Sequence, residues 1–499
     1  VKRSRLKKIE SHWVLINLSF TVEEDSKEVK FFIHNEKTLP AYYDDLKIEL
    51  LNKSTRPVFK KENIGIQIKS KDLDKLFKYR DKAIQNGVIG KSLKKYFRGI
   101  MVYNKEEIPI KIRLKGDWVD HLSGDKWSFR IKILGDKYFK GMKAFSIQHP
   151  KTRSFLKEWI MHKIFKDENI LTTRYGFITA SLNGNNLGIY AYEEHFSKEL
   201  LQYNNKTEAP ILKFNEEGIW QTRLNNPKNK NLYPFFEASD IIPFQKKSVL
   251  SSDNLKKDFE KGFKLMTKYK EFNGNLEDIF DLNYTAKLYA LYDIGRIRHS
   301  YHWHNQRFYY NPKENKLEHI AFDCYAGIEE GIEDVIYGYS DKNSYDFKMT
   351  YLSKQFFNND LFVAYYKKFL DKFSNEEYLT NIINKYSTSS DSLNTILKYE
   401  FQDYEFDINY LIDDAKAVRD LLSSYTSNHN FLVKPTKYDY ASVENNYFPS
   451  IGIKANKHVN DENELVLKIK NFHLDTVYLI GHSIEGKNSS IVKFKDSIL

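Results

Sequence analysis

Residues 174–196 read RYGFITASLNGNNLGIYAYEEHF, two alternating apolar segments that meet at Asn183-Gly184. An Asn-Gly pair supplies the positive φ angles a two-residue turn needs, so this stretch is confined to an antiparallel hairpin. The same pattern recurs on either side. In residues 110–133, IKIRLKGDWVDHLSGDKWSFRIKI, two alternating runs flank a loop rich in Gly, Asp and Ser. Downstream, RFYY and LEHIAF flank the turn NPKENK,. Between these hairpins, Phe155, Trp159, Ile160 and Ile164 recur at helix spacing, and Ser154 or Thr152 is the expected cap,.

The third hairpin carries metal-competent side chains at both ends. His299, His302, His304 and Asn305 precede it and Asp323 follows it. A hard cation such as Mg²⁺ takes carboxylate and amide oxygens and lets substrate phosphates complete its shell. An Asp after a strand is also an ordinary turn or cap residue, and a His-rich aromatic stretch is also ordinary packed structure. The hairpin at 110–133 is cationic, with Arg113, Lys115, Lys126, Arg130 and Lys132, and could cover a nucleotide triphosphate,. A solvated basic sheet face has the same composition. Glu194 ends one strand and Lys213 lies in the next, APILKFN, so the two could pair over phosphate. The alternative is an exposed ion pair, worth about 0–1 kcal/mol.

The order of these segments resembles the CotH (spore coat protein H) kinase family, an atypical branch of the protein-kinase-like fold. The likeness begins near residue 64 with IGIQIKSKDLDKLFKYRDKAIQNG and runs to about residue 420. It takes in Arg113-x-Lys115-Gly116, Lys126-x-Ser128-Phe129-Arg130, Gly141-Met142-Lys143, Asn183-Gly184, Gly188, Tyr190, Glu194 and Lys213. It closes on His304-Asn305, Tyr309-Tyr310-Asn311-Pro312 and Asp323. The resemblance implies transfer of the γ-phosphoryl of ATP, with Mg²⁺ or Mn²⁺, to Ser/Thr hydroxyls of a surface or secreted protein. It implies Asp323 and Asn305 as metal ligands, and Arg113, Lys126, Arg130, Glu194 and Lys213 at the nucleotide. Two positions depart from the family pattern. Ser300 stands where a candidate catalytic Asp is usual, and Tyr325 where a second carboxylate is usual. His299, His302 or His304 could replace the missing base, since imidazole titrates at about 6.5. Asp293 is a further candidate, from the end of the preceding helix. Two alternatives stand beside the active kinase. One is a catalytically degenerate scaffold that binds an envelope partner or polysaccharide. The other is a metal-dependent hydrolase built on His302, His304 and Asp323.

The expected fold is α+β, a two-lobed kinase-like domain with β-rich terminal appendages. Residues 1–60 read as a small β module, 61–220 as a strand-rich N-lobe, 221–435 as a helical C-lobe holding the site hairpin, and 436–499 as a sandwich-like β region. The Pro- and Asn-rich segment 214–245 reads as a substrate-facing flap. With 35 Tyr and 35 Phe the chain has the apolar content of a folded protein,. Its net charge of +11 leaves room for an anionic partner such as ATP, an acidic polysaccharide or lipid headgroups, whereas no basic arm or zinc-finger spacing points to nucleic acid,. Cys324 is the only cysteine, which rules out an intrachain disulfide,. No apolar run approaches the roughly 20 residues of a membrane helix. The basic start followed by a short apolar piece is a weak likeness to a signal peptide, and a chain opening on Val reads as a fragment,. The family likeness points to a secreted or bacterial cell-surface protein.

Overall fold

The computed structural model describes residues 62–122, 124, 126–225, 236, 239–325 and 352–422, together with short strands at 6–8, 14–16, 453–459, 465–471, 481–482 and 492–493. The chain divides into two compact units, Val1–Val58 and Phe59–Leu499. In the first, β1 (Leu6–Lys8) pairs antiparallel with β2 (Val14–Ile16). The expected C-terminal sandwich lies largely outside the described residues. Within it, Ile453–Val459 and Leu465–Asn471 pair as an antiparallel ribbon.

The second unit is built around a closed barrel of seven strands. These are β3 (Asn63–Ile68), β4 (Phe97–Tyr103), β5 (Glu106–Leu114), β6 (Phe129–Ile133), β7 (Ala144–Gln148), β8 (Tyr175–Leu182) and β9 (Asn185–Glu194), in the order β3-β4-β5-β6-β7-β9-β8. Period-2 alternation sends one set of side chains inward. Ile64, Ile66, Ile108, Ile110, Ile112, Leu114, Phe129, Ile131, Phe145, Ile147, Ile178 and Tyr190 are buried in a single apolar core,. Leu76 and Ala83 of the Ser70–Asn86 helix join it.

This barrel overturns the two-lobed, kinase-like expectation. The local hairpins were legible: β5 pairs with β6, and β8 with β9 through Asn183-Gly184. The closing seam was not. There β3 runs parallel to β8, Asn63 beside Thr179 and Ile66 beside Leu182. Asn183 locks the seam, accepting from Ile68 N at 2.8 Å and donating to Ile68 O at 2.9 Å. A pairing between strands so far apart in sequence leaves no mark on local periodicity.

Beyond the barrel, a small antiparallel sheet has the order β11-β10-β12-β13, from β10 (Ile211–Phe214), β11 (Ile241–Pro243), β12 (Arg307–Asn311) and β13 (Lys316–His319). The hairpin expected at RFYY and LEHIAF is the β12–β13 pair. Helices Asp253–Lys270, Leu282–Ile294, Asp360–Ser374, Glu376–Glu400 and Tyr410–Leu422 surround this sheet. Together they bury a second apolar core rich in Tyr and Phe, which also receives Ile189, Ala191, Tyr175 and Phe177 from the outer face of the barrel. The barrel and the helices are thus joined through β8 and β9, the strands beside β7 in the barrel wall. The helix expected from Ser154 starts at Leu156. Neither Ser154 nor Thr152 caps it; Leu156 N donates instead to the hydroxyl of Tyr404.

Candidate functional site

On β5, β6 and β7 the side chains Arg113, Arg130, Ser146 and Gln148, which point away from the barrel interior, are polar. Arg113 of β5 lies opposite Arg130 of β6, Arg130 opposite Ser146 of β7, and Ser146 opposite Glu193 of β9. Lys115 follows β5, where Gly116, at φ 102, lets the chain turn against His121,. Lys115 Nζ donates to Glu193 Oε2 at 2.9 Å and to the Gln148 side chain. Lys and Glu are each less than a tenth exposed, at 9 and 6 %. Burial pulls the Lys115 pKa down from 10.5, opposed by Glu193 and assisted by Arg153 and Arg130. Burial and the facing Arg113 bring Arg130 down to about 10.

Several buried atoms on this wall have no hydrogen-bond partner. They are Arg130 Nε and Nη1, Ser146 Oγ, Gln148 Nε2, Glu193 Oε1 and His195 Nδ1. Arg307 Nε, from β12, joins them. His195 is held well below the usual imidazole range by burial and by Arg130, Lys132, Arg113 and Lys213. A desolvated wall of unpaired donors beside stacked cations is costly unless an anion completes it.

Asp323 sits just beyond β13. Its Oδ1 pairs with Arg153 Nε at 2.5 Å, and its Oδ2 faces His299 Nε2 at 3.6 Å. Burial opposes ionisation, but Arg153, His299 and Lys115 hold this carboxyl far below the ordinary range. His299, His302 and His304 cluster with ring centroids 5.2–6.2 Å apart. His304 is pushed well below the usual range by burial, His302 and His299, against the pull of Glu216. Asn305 donates from Nδ2 to His299 O at 3.0 Å, which leaves its Oδ1 as the ligand-competent atom.

The sequence-predicted residues therefore divide. Asp323, Asn305 and the three histidines come together, and Arg113 and Arg130 face each other on the wall. Lys126 turns elsewhere, to Glu400 at 2.5 Å and to Ile189 O at 3.1 Å. The expected Lys213–Glu194 pair is not made. Lys213 binds Glu216 at 2.6 Å, and Glu194 binds Arg174 at 2.8 Å. Strand parity explains the miss: Glu193, not Glu194, shares the outward face with Ser146. Asp293 is 1 % exposed and is held by the hydroxyls of Tyr366 and Tyr301, so it does not reach the histidine cluster as a base. The two departures from the expected carboxylate pattern have structural roles. The Ser300 hydroxyl donates to Phe322 O at 2.8 Å, and the Tyr325 hydroxyl to Gly295 O at 2.5 Å. Of the flap segment 214–245, the described part includes the Glu217–Asn225 helix, whose Arg223 stacks 3.7 Å from the Trp118 ring centroid.

Sequence reasoning also missed Glu158, His162 and Thr172 behind Asp323. Among the described residues, Glu158, His162 and Cys324 are the group that brings three potential metal-ligand atoms within 4.8 Å of one another; His302, His304 and Asp323 do not. The Glu158 oxygens are already engaged by the peptide N–H groups of Cys324 and Tyr325. Cys324 is buried and its thiol pKa is pushed up by burial and by Glu158, which removes it as a nucleophile,.

A family model described as CotH kinase protein matches residues 112–422. The chain belongs to the CotH kinase family. No curated protein matches it. The matched span runs from β5, through the outer barrel wall and Asp323, to the end of the Tyr410–Leu422 helix. It therefore contains every residue of the site described above. No helix among the described residues is long and apolar enough to cross a membrane.

Proposed function

We propose that this CotH kinase family member is an ATP-dependent phosphotransferase that moves the γ-phosphoryl group to a Ser or Thr hydroxyl of a protein. The observation that carries the reading is a set of buried donor atoms without partners, Arg130 Nε and Nη1, Gln148 Nε2 and Arg307 Nε, beside Lys115. Phosphate oxygens are the acceptors that such a set lacks. Glu193 and Gln148 would hold Lys115 for the phosphates, the logic of a kinase Lys–Glu pair,. A carboxylate that stays ionised, Asp323, and an amide oxygen, Asn305, suit Mg²⁺ or Mn²⁺, which takes one or two protein oxygens and the nucleotide's own. The metal, when bound, supplies charge neutralisation at the transferring phosphoryl. His299 is the candidate base, because its Nε2 faces Asp323 and its side chain is 24 % exposed and so open to solvent,.

A second reading has one specific observation in its favour. Both Asp323 oxygens already face cationic or protonatable groups, so a metal must compete with Arg153. A scaffold that has lost transfer but still binds an envelope partner or polysaccharide would tolerate that. Either reading carries the expectation of a secreted or cell-surface location, which fractionation tests.

Thermal-shift titration with ATP plus Mg²⁺ or Mn²⁺ separates the two. Ligand at 100 times its Kd stabilises a fold by about 2.7 kcal/mol. The kinase reading expects a metal-dependent shift that Asp323→Ala loses. That variant also strands Arg153 and lowers the unliganded midpoint, so the shifts rather than the midpoints are compared. No shift with either metal moves the protein to the scaffold reading.

A further inference from the structure

We infer that Glu158 is a positioning residue that sets the backbone of Asp323 for metal binding; the inference rests on the phosphotransferase reading. Asp323 has φ 55, in the left-handed region that residues other than glycine rarely occupy,. Such a conformation persists only where the surroundings over-determine it.

Here the surroundings do so. Glu158, on the first turn of the Leu156–Asp167 helix, is completely buried. Its carboxylate accepts from Cys324 N at 3.1 and 3.2 Å and from Tyr325 N at 3.2 Å. These are the two peptide N–H groups that immediately follow Asp323. From the other side, Ser300 Oγ donates to Phe322 O at 2.8 Å and Asp323 O at 3.3 Å. Ala321 is fixed as well: its N donates to Leu171 O at 2.8 Å, and its O accepts from Thr172 Oγ1 at 2.9 Å.

His162 ties these contacts together. His162 Nδ1 lies 2.7 Å from Thr172 Oγ1, the hydroxyl that also reaches Ala321 O at 2.9 Å. Nε2–H of the same ring donates to Glu158 Oε1 at 3.0 Å, since the carboxylate oxygen can only accept,. Glu158 thus gathers two backbone amides and one imidazole. A buried carboxylate is an expensive way to fill a core, and here all its donors lie at or behind the turn that aims Asp323. Partners of this kind orient a ligand carboxylate without touching the ion, and their removal typically weakens metal binding by about 10–100-fold.

The test compares wild type, Glu158→Gln and Thr172→Val in two titrations. One follows binding of the Mn²⁺–ATP complex by the enhancement of water proton relaxation that accompanies its binding to protein. The other follows ATP binding in EDTA. Glu158→Gln is expected to weaken Mn²⁺ by about 10–100-fold and to leave metal-free ATP affinity within about twofold. Thr172→Val is expected to do the same to a smaller degree. A Glu158→Gln protein that binds Mn²⁺ like wild type, or that loses both ligands equally, overturns the inference. If Glu158→Gln does not fold by circular dichroism, Thr172→Val decides, and unchanged Mn²⁺ binding there overturns it. Wild type that binds no Mn²⁺ with ATP brings down the phosphotransferase reading and this inference together. Normal wild-type binding with unaltered variants brings down the inference alone.

Discussion

The two faces of the barrel wall are made from the same strands and obey opposite rules. Inward, β5, β6 and β7 present Ile110, Ile112, Ile131, Phe145 and Ile147, all fully buried and all apolar. Outward, alternate residues of the same strands present Arg113, Arg130, Ser146 and Gln148, the last three with buried polar atoms that have no partner. A period of two lets one strand hold the fold together on one side and leave unmet hydrogen-bonding capacity on the other. The lesson is that stability and chemistry are separated here by parity rather than by domain.

Three substitutions probe that separation. The largest effect belongs to the interior. Phe145 stacks on Phe139 at 4.4 Å and is fully buried, so Phe145→Ala is expected to destabilise by about 3–5 kcal/mol in denaturant unfolding,. If the loss is small, the barrel core does not dominate stability and the contrast fails.

Acid sensitivity comes next and belongs to the outside. Glu216, beside the histidine cluster, titrates at about 2: burial raises its pKa, but Lys213, Arg307 and His304 override it. A carboxyl depressed on folding contributes stability that is complete above its unfolded pKa near 4.5 and is lost as pH falls towards 2,. The contribution is on the order of 2–3 kcal/mol. Melting followed from pH 6 to 2 should show this loss in wild type, and a flatter profile in Glu216→Gln. Parallel profiles would detach Glu216 from the cationic site.

The smallest change in stability is expected for Arg130→Leu. Removing a buried guanidinium with unmet donors should alter unfolding by less than about 1 kcal/mol, or even stabilise. The same variant should lose the nucleotide-induced shift. A large destabilisation with an intact shift would make Arg130 a structural residue and erase the contrast between the faces.

Local chemistry explains what was legible in the sequence. Asn183-Gly184 and the alternating runs around it marked their hairpins because turn and strand preferences act within a few residues. Asp323, Asn305 and the histidines were visible because they flank one such hairpin. The closed barrel was not, because the β3–β8 seam depends on a partner no local pattern specifies. Nor was the Lys115–Glu193 pair, which requires knowing which of two adjacent glutamates faces outward. Glu158 was hidden for a different reason: a glutamate on the first turn of a helix is common on solvated faces, and only its burial against Cys324 and Tyr325 distinguishes it.

The parallel seam also has a temporal consequence. Thr179 meets Asn63 at a separation of 116 residues, so the first barrel strand must wait, with one edge open, until most of the barrel has been synthesised. Closure of so long a loop is slow compared with hairpin formation, which makes the seam the natural rate-limiting step in maturation. Until it forms, the exposed edge of β3 is a template for pairing with other chains, and the ladder with β8, pinned at Ile68 by Asn183, ends that vulnerability,.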